Sequence, residues 1–292
     1  MPPVLLAVAH GSRDPRHAET LRGLVRQVRA RRPELRVEIG FLDFAVPSVL
    51  RVLAELAEEV QRATPGQPGA VREVVAVPLL LSRAFHAKAD IPAVLRQAPP
   101  ELRIEQAGVL GPAPLLSRAL ERRLYEAGLV PGDMSSTGVV LASAGTSDRE
   151  ANAVIADIAR EWRSTGWCAV RPAFASFPAG GSASGSGPGA VGAGTAWAVR
   201  RLRALGCTRV AVASYVLAPG FLMDRIARGA VQADVIAPVL GDAPEVVELV
   251  LHRFDQACSR FRVTAAVPGA ACLTSPSGQS GPRAHRAARG RG

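Results

Sequence analysis

Apolar runs alternate with stretches of helical periodicity along most of the chain. Val4 to Ala9 is continuously apolar with no polar face, which is the pattern of a strand covered on both sides. From about Arg16 to Arg31 the apolar positions Leu21, Leu24, Val25 and Val28 recur at helical spacing, and Pro33 stops that helix. Val37 to Phe41 predicts a second strand, and Ser48 caps a helix whose apolar side holds Val49, Val52, Leu53 and Leu56. Val74 to Leu81 is again apolar, but Pro78 inside it has no N–H to donate, so pairing should end near there. A polar turn, a short helix from about Ala87, a strand near Ile104 and a helix from Pro114 to Ala127 follow. After a turn-rich linker from Pro131 to Thr137 the alternation resumes. The elements there are a strand near Val139 to Ala142, a helix from Arg149 to Trp162, a strand near Ala169 to Ala175 and a helix from Trp197 to Leu205. Such alternation predicts an α/β protein, with mostly parallel sheets carrying helices on both faces.

The second half repeats the first. Leu5 to Asp14 matches Val140 to Asp148 at an offset of roughly 130 residues, with Gly11 on Gly145 and His10 on Ala144. Val74 to His86 matches Val210 to Leu222, which puts His86 on Leu222, and Val109 to Pro114 matches Val239 to Pro244. Three echoes in one order predict two duplicated Rossmann-like domains: residues 1–131 carrying both histidines, and residues 138–260 lacking them. A Gly/Ser-rich insertion at 178–194 interrupts the second unit, and residues 261–292 read as a disordered basic tail.

Composition narrows the function classes. With 292 residues, the chain has room for two domains, each able to bury its own core. No apolar run approaches the ~20 residues that span a bilayer, and Met1-Pro2-Pro3 leads straight into a strand without a signal pattern, so a cytoplasmic protein with no membrane partner is expected. Cys168, Cys207, Cys258 and Cys272 have no metal-type spacing and read as incidental thiols. The net charge of +10 invites a nucleic-acid reading, but basic residues are scattered over many helix faces and aromatics form only 4% of the chain, too few for base stacking. The charge fits a polyanionic small molecule better.

In open parallel sheets ligands bind beyond the carboxyl ends of the strands. His10 follows the first strand, Asp43 the second and His86 the third, so all three should face one crevice. Two neutral imidazoles suit a first-row divalent metal such as Fe²⁺ or Co²⁺ and leave coordination positions open, while an imidazole near neutral pKa is also a base. His17 at a helix start, His252 within a helix and His285 in the tail read as structural or incidental. Gly187-Pro188-Gly189-Ala190-Val191-Gly192 satisfies GxGxxG, but it sits in a long Gly/Ser run and no acidic residue follows until Asp224. His10-Gly11 after a strand also occurs in phosphohistidine enzymes, yet Ala9 stands where those carry an arginine.

Ala9-His10-Gly11-Ser12-Arg13, then Phe41-Leu42-Asp43 with Pro47, then Val77-Pro78-Leu79-Leu80-Leu81 running into His86-Ala87-Lys88-Ala89-Asp90-Ile91-Pro92, together resemble the sirohydrochlorin chelatases of siroheme and cobalamin synthesis in their long two-domain form. The last motif is most similar to the ferrochelatase branch. The resemblance implies insertion of a divalent metal, Fe²⁺ ahead of Co²⁺, into a tetrapyrrole bearing many carboxylates, with the metal as substrate and no permanently bound cofactor. It implies His10 and His86 as metal ligands, His10 as acceptor of pyrrole protons, and Leu81, Ser82, Arg83, Ala84 and Phe85 as a loop along the substrate. Asp43 stands where the family usually has glutamate, Val46 where it often has another, and Ala84 where it often has glycine. Arg13 and Arg83 are placed to hold substrate carboxylates. Duplication within the chain removes one reason to dimerise, so a monomer or weak homodimer is expected. Two other readings stay open: a non-catalytic metal or tetrapyrrole carrier using the same histidines, and an α/β enzyme acting on phosphorylated substrates.

Overall fold

The computed structural model describes residues 2–65, 67, 69–82, 89–145, 149–176 and 194–265. The first half runs β1 (Val4–Ala9), α1 (Pro15–Arg31), β2 (Val37–Phe41), α2 (Val49–Ala63), β3 (Arg72–Pro78), α3 (Ile91–Leu95), β4 (Leu102–Gln106) and α4 (Pro114–Glu126). The second runs β5 (Thr137–Ser143), α5 (Arg149–Arg163), β6 (Ala169–Phe174), α6 (Thr195–Ala204), β7 (Arg209–Tyr215), α7 (Phe221–Gly229), β8 (Val235–Ile236) and α8 (Pro244–Ala265). Two four-stranded parallel sheets result, in the orders β2-β1-β3-β4 and β6-β5-β7-β8. The α/β expectation holds, and among the described residues no helix is long and apolar enough to cross a membrane.

Local signals act as the sequence suggests. All six residues of β1 are buried, because helices cover both of its faces. Ser48 caps α2 as expected, by accepting from the Arg51 N–H, while Asp14, not singled out in the sequence, caps α1 by accepting from the Arg16 N–H. β3 ends at Pro78. The duplication is visible bond by bond. Leu42 and Asp43 N–H groups donate to Ala9 and His10 carbonyls, and Ala175 and Ser176 donate to Ser143 and Ala144 in the same way. The Leu110 N–H reaches Leu80 as Leu240 reaches Val216.

The halves do not bury separate cores on their inner faces. Leu5, Ala7 and Ala9 of β1 share one continuous apolar cluster with Val139 and Leu141 of β5, while the outer faces form two smaller clusters. The reason is an exchange of helices: α4 packs on β7 of the second sheet, and α8 packs on α1, α4, β3 and β4 of the first. The segment expected as a plain linker is a 3₁₀ turn over Pro131–Ser136, with β5 starting at Thr137. α8 continues to Ala265, past the expected start of the disordered tail, because Phe261 is buried in the shared cluster. Of the Gly/Ser-rich insertion only Gly194 belongs to the described residues, and residues 266–292 also lie outside them.

Glu59 on α2 joins α2 to both sides of the first sheet. Its carboxylate accepts from Arg36 Nη2 at 2.8 Å and from Arg72 Nη1 at 2.9 Å, and it also pairs with Arg36 Nη1. The Arg36 guanidinium, with Arg72 adding to it, holds the Glu59 carboxyl down at about 2. A depressed carboxyl pKa stabilises the fold above its unfolded value and loses that effect as pH falls toward the folded one. Glu59→Gln should therefore cost about 1 kcal/mol at neutral pH, solvent screening keeping the figure small, and much less near pH 2. Urea unfolding at both pH values checks this.

Candidate active site

His10 is the first residue after β1 and is half-buried. Its loop is fixed from the neighbouring strand: the Asp43 N–H donates to the His10 carbonyl at 2.9 Å and the Leu42 N–H to the Ala9 carbonyl at 2.9 Å. Gly11 makes this approach possible. It has φ +94°, and a Cβ there would lie 1.8 Å from the Asp43 carbonyl oxygen. Ser12 Oγ then accepts from the Asp14 N–H at 3.1 Å, and Asp14 starts α1. His10 and Asp43 thus meet at the carboxyl ends of β1 and β2, with Asp43 exposed.

The third strand end arrives beside them. The Leu79 N–H donates to the Val8 carbonyl at 2.8 Å, which keeps the chain beyond Pro78 against β1. Leu81 and Ser82 are partly buried, and Leu81 is packed tightly: a Cβ at Gly111 would lie 2.2 Å from its carbonyl oxygen. Arg83, Ala84, Phe85 and His86 lie outside the described residues; of the rest of the expected set, the structure joins His10 to Asp43 directly and to Arg13 through Phe44, with Leu81 and Ser82 following the neighbouring strand β3.

Two neighbours of His10 were not expected from the sequence. His17 is one: burial lowers its pKa, and proximity to His10 lowers it further. No local pattern announces this, because six residues of turn and helix start separate the two histidines. Phe44 is the other, its ring 6.5 Å from that of His10 in a T-shaped arrangement and 5.1 Å from the Arg13 guanidinium.

The second half closes on the same loop. Gly220 stands opposite Ser12, close enough that a Cβ there would lie 3.9 Å from Ser12 Oγ. Arg16 pairs with Asp224 of α7 at 2.9 Å, and the Tyr215 hydroxyl donates to the Leu81 carbonyl at 3.4 Å. Tyr215 is almost fully buried, and that burial pushes its hydroxyl pKa up. The first turn of α7 exposes Phe221 and Leu222. At the positions matching His10, Asp43 and His86 the second half has Ala144, Ser176 and Leu222, so the ionisable groups are confined to the first half.

Comparison with known proteins bears on the kinship of the first half and on the fold. The family model CbiX matches residues 4–127, from the start of β1 to just past α4. Over those residues the N-terminal half is similar to the CbiX family. Two curated relatives, both named sirohydrochlorin cobaltochelatase, match parts of this chain. The Methanococcoides burtonii protein is 27% identical over 95 residues, which is 32% of this chain and 65% of the relative. The Methanocaldococcus jannaschii protein is 33% identical over 91 residues, 31% of this chain and 57% of the relative. The alignments thus span less than two thirds of each relative. The fold likeness extends further: SirB from Bacillus subtilis, solved with Fe³⁺, superposes with a TM-score of 0.68 at 22% identity, covering 90% of this chain and 98% of SirB. The motifs around His10 and within Val77–Pro92 fall inside the stretch similar to CbiX, and the two-sheet fold is like that of SirB.

Proposed function

We propose that this protein inserts a divalent metal into sirohydrochlorin. The observation that carries the reading is that His10 and Asp43 are tied by a backbone hydrogen bond at adjacent strand ends, within a half similar to the CbiX family. Insertion requires that the metal shed water and that two pyrrole N–H groups lose their protons. Histidine ligands that leave open positions suit a metal that is a substrate to be released into the ring, and an adjacent base suits the protons. His10 and His86 hold the metal, and His10 then takes a pyrrole proton as the metal passes to the macrocycle. Asp43, exposed at the rim, receives protons from the site and passes them to solvent. Arg13 and Arg83 pair with carboxylates of the macrocycle, and Leu81 to Phe85 lies along its edge.

Residues 1–131 carry this chemistry, and residues 138–260 form the opposite wall of the cleft through Gly220, Phe221 and Leu222. The protein acts as a cytoplasmic monomer or weak homodimer with no resident cofactor. Fe²⁺ is the favoured metal, on the likeness of the Val77–Pro92 motif to the ferrochelatase branch, and Co²⁺, named by the curated relatives, is also accepted.

The test is anaerobic addition of Fe²⁺ or Co²⁺ to sirohydrochlorin with and without protein, followed by absorbance. Wild type should exceed the buffer rate with both metals, and His86→Ala should fall at least about a hundredfold from wild type, the range expected for a ligand or base of the reacting centre. Equal rates with and without wild-type protein would remove the proposal.

A further inference from the structure

Phe44 is held in a conformation that its own packing does not repay. It has φ +59°, the single positive value at a non-glycine among the described residues. The Ala45 N–H donates to the Asp43 carbonyl at 2.7 Å, so Phe44 is the middle residue of a γ-turn in its rare, strained form. A residue with a Cβ is disfavoured there, and glycine would relieve the strain. Yet the ring is 59% exposed and recovers little by burial. Strain of this kind persists where neighbouring structure enforces it, and here Asp43 is fixed by its bond to His10 and by the close approach of Gly11. The turn therefore presents an aromatic ring at the rim of the His10 site.

The ring is paired with a cation suited to the same ligand. Arg13 is exposed, lies over the Phe44 ring at 5.1 Å, and makes no ion pair among the described residues. An aromatic residue that stays 59% exposed with a guanidinium stacked against its ring matches a conjugated ring that carries carboxylates at its edge. A linear polycarboxylate would use the arginine and leave the phenyl ring idle. We propose that Phe44 is the residue that seats the macrocycle: its ring takes the apolar surface of a tetrapyrrole, Arg13 takes a peripheral carboxylate, and the pyrrole nitrogens are thereby brought to His10. This rests on the chelatase reading and adds to it a specificity-determining residue.

The experiment is titration of metal-free sirohydrochlorin into wild type, Phe44→Leu, Phe44→Gly and Phe44→Tyr, followed by fluorescence, with thermal melts and Co²⁺ binding measured on the same proteins. The Leu and Gly variants should bind the macrocycle about tenfold more weakly, and Tyr should stay within about threefold of wild type, because only a planar ring replaces the lost contact. Co²⁺ affinity without macrocycle should be unchanged in all four, and the Gly variant should melt no lower than wild type because the strain is gone. Wild-type macrocycle affinity in the Leu and Gly variants overturns the proposal and leaves the chelatase reading standing. A melting temperature several degrees lower in Phe44→Gly also overturns it, since the ring would then be a structural prop. Wild type that neither binds nor metallates sirohydrochlorin overturns both.

Discussion

His10→Ala should abolish metal insertion and leave the fold intact. The loop around His10 is held through backbone groups: the His10 carbonyl accepts from Asp43, and Gly11 supplies the close approach. Neither depends on the imidazole. The second half shows the same turn built with alanine, since the Ala144 carbonyl accepts from Ser176 at 2.9 Å and Gly145 has φ +75°. On the proposed mechanism, removing the imidazole takes away a metal ligand and the acceptor of a pyrrole proton, so the initial rate should fall at least about a hundredfold. Far-UV circular dichroism and the melting temperature should stay close to wild type. A variant that retains most of its rate would exclude His10 from the reacting centre, and one that unfolds would show that the turn needs the ring.

Gly11→Ala should cost most in stability. Two effects add at this residue: a positive φ, disfavoured by about 1–2 kcal/mol for alanine, and a Cβ that would meet the Asp43 carbonyl oxygen at 1.8 Å. That oxygen is main chain and cannot swing away as a flexible side chain can, so β2 and the Asp43–Ala45 turn must move. Together the two terms amount to about 3 kcal/mol, or roughly 5–10 °C in melting temperature. Gly128→Ala is the control, because Gly128 has φ +102° with nothing within 4 Å of a Cβ. It should show the backbone term alone, about 1 kcal/mol, and normal insertion. Metal insertion by Gly11→Ala should be lost along with the stability, since the same shift separates His10 from Asp43. Equal melting temperatures for the two variants would contradict the close approach.

The residues that announce their structure in the sequence do so through strong local physics. Val4 to Ala9 can satisfy its continuous apolar surface only between two layers of helices, and Pro78 has no N–H with which to extend β3. Ser48 has a side-chain oxygen at the step where helix N–H groups need one. The echo of Leu5–Asp14 in Val140–Asp148 carries over to the same hydrogen bonds because the same small residues, Gly11 and Gly145, permit them. Helix exchange was not legible. Periodicity on α4 and α8 shows that one face is buried, but not which sheet covers it, and a choice between two near-identical sheets leaves no mark on the pattern. The ordered end of α8 depends on Phe261 reaching the shared cluster, a long-range contact hidden by the Ala- and Arg-rich composition around it.

The site was legible where chemistry follows strand ends and obscure where it depends on loop shape. His10 and Asp43 were placed by the rule that parallel strands deliver their following residues to one crevice, and the structure joins them through a backbone bond. Phe44 gave no signal, because positive φ is ordinarily announced by glycine or asparagine and here falls on an aromatic residue. His17 gave none because its nearness to His10 arises from the turn at Gly11 and not from helical spacing. Val46, where the resembled family often has glutamate, is exposed two residues beyond Phe44.

The central claim is turnover by a centre confined to the first half. The most direct measurement is the amount of metallated sirohydrochlorin formed per mole of protein, with sirohydrochlorin and Co²⁺ in large excess and the buffer reaction subtracted. The account predicts many equivalents of product per protein, accumulating linearly at first. Product that stops at or below one equivalent, with metal or macrocycle held tightly on the protein, would contradict it and identify a carrier instead.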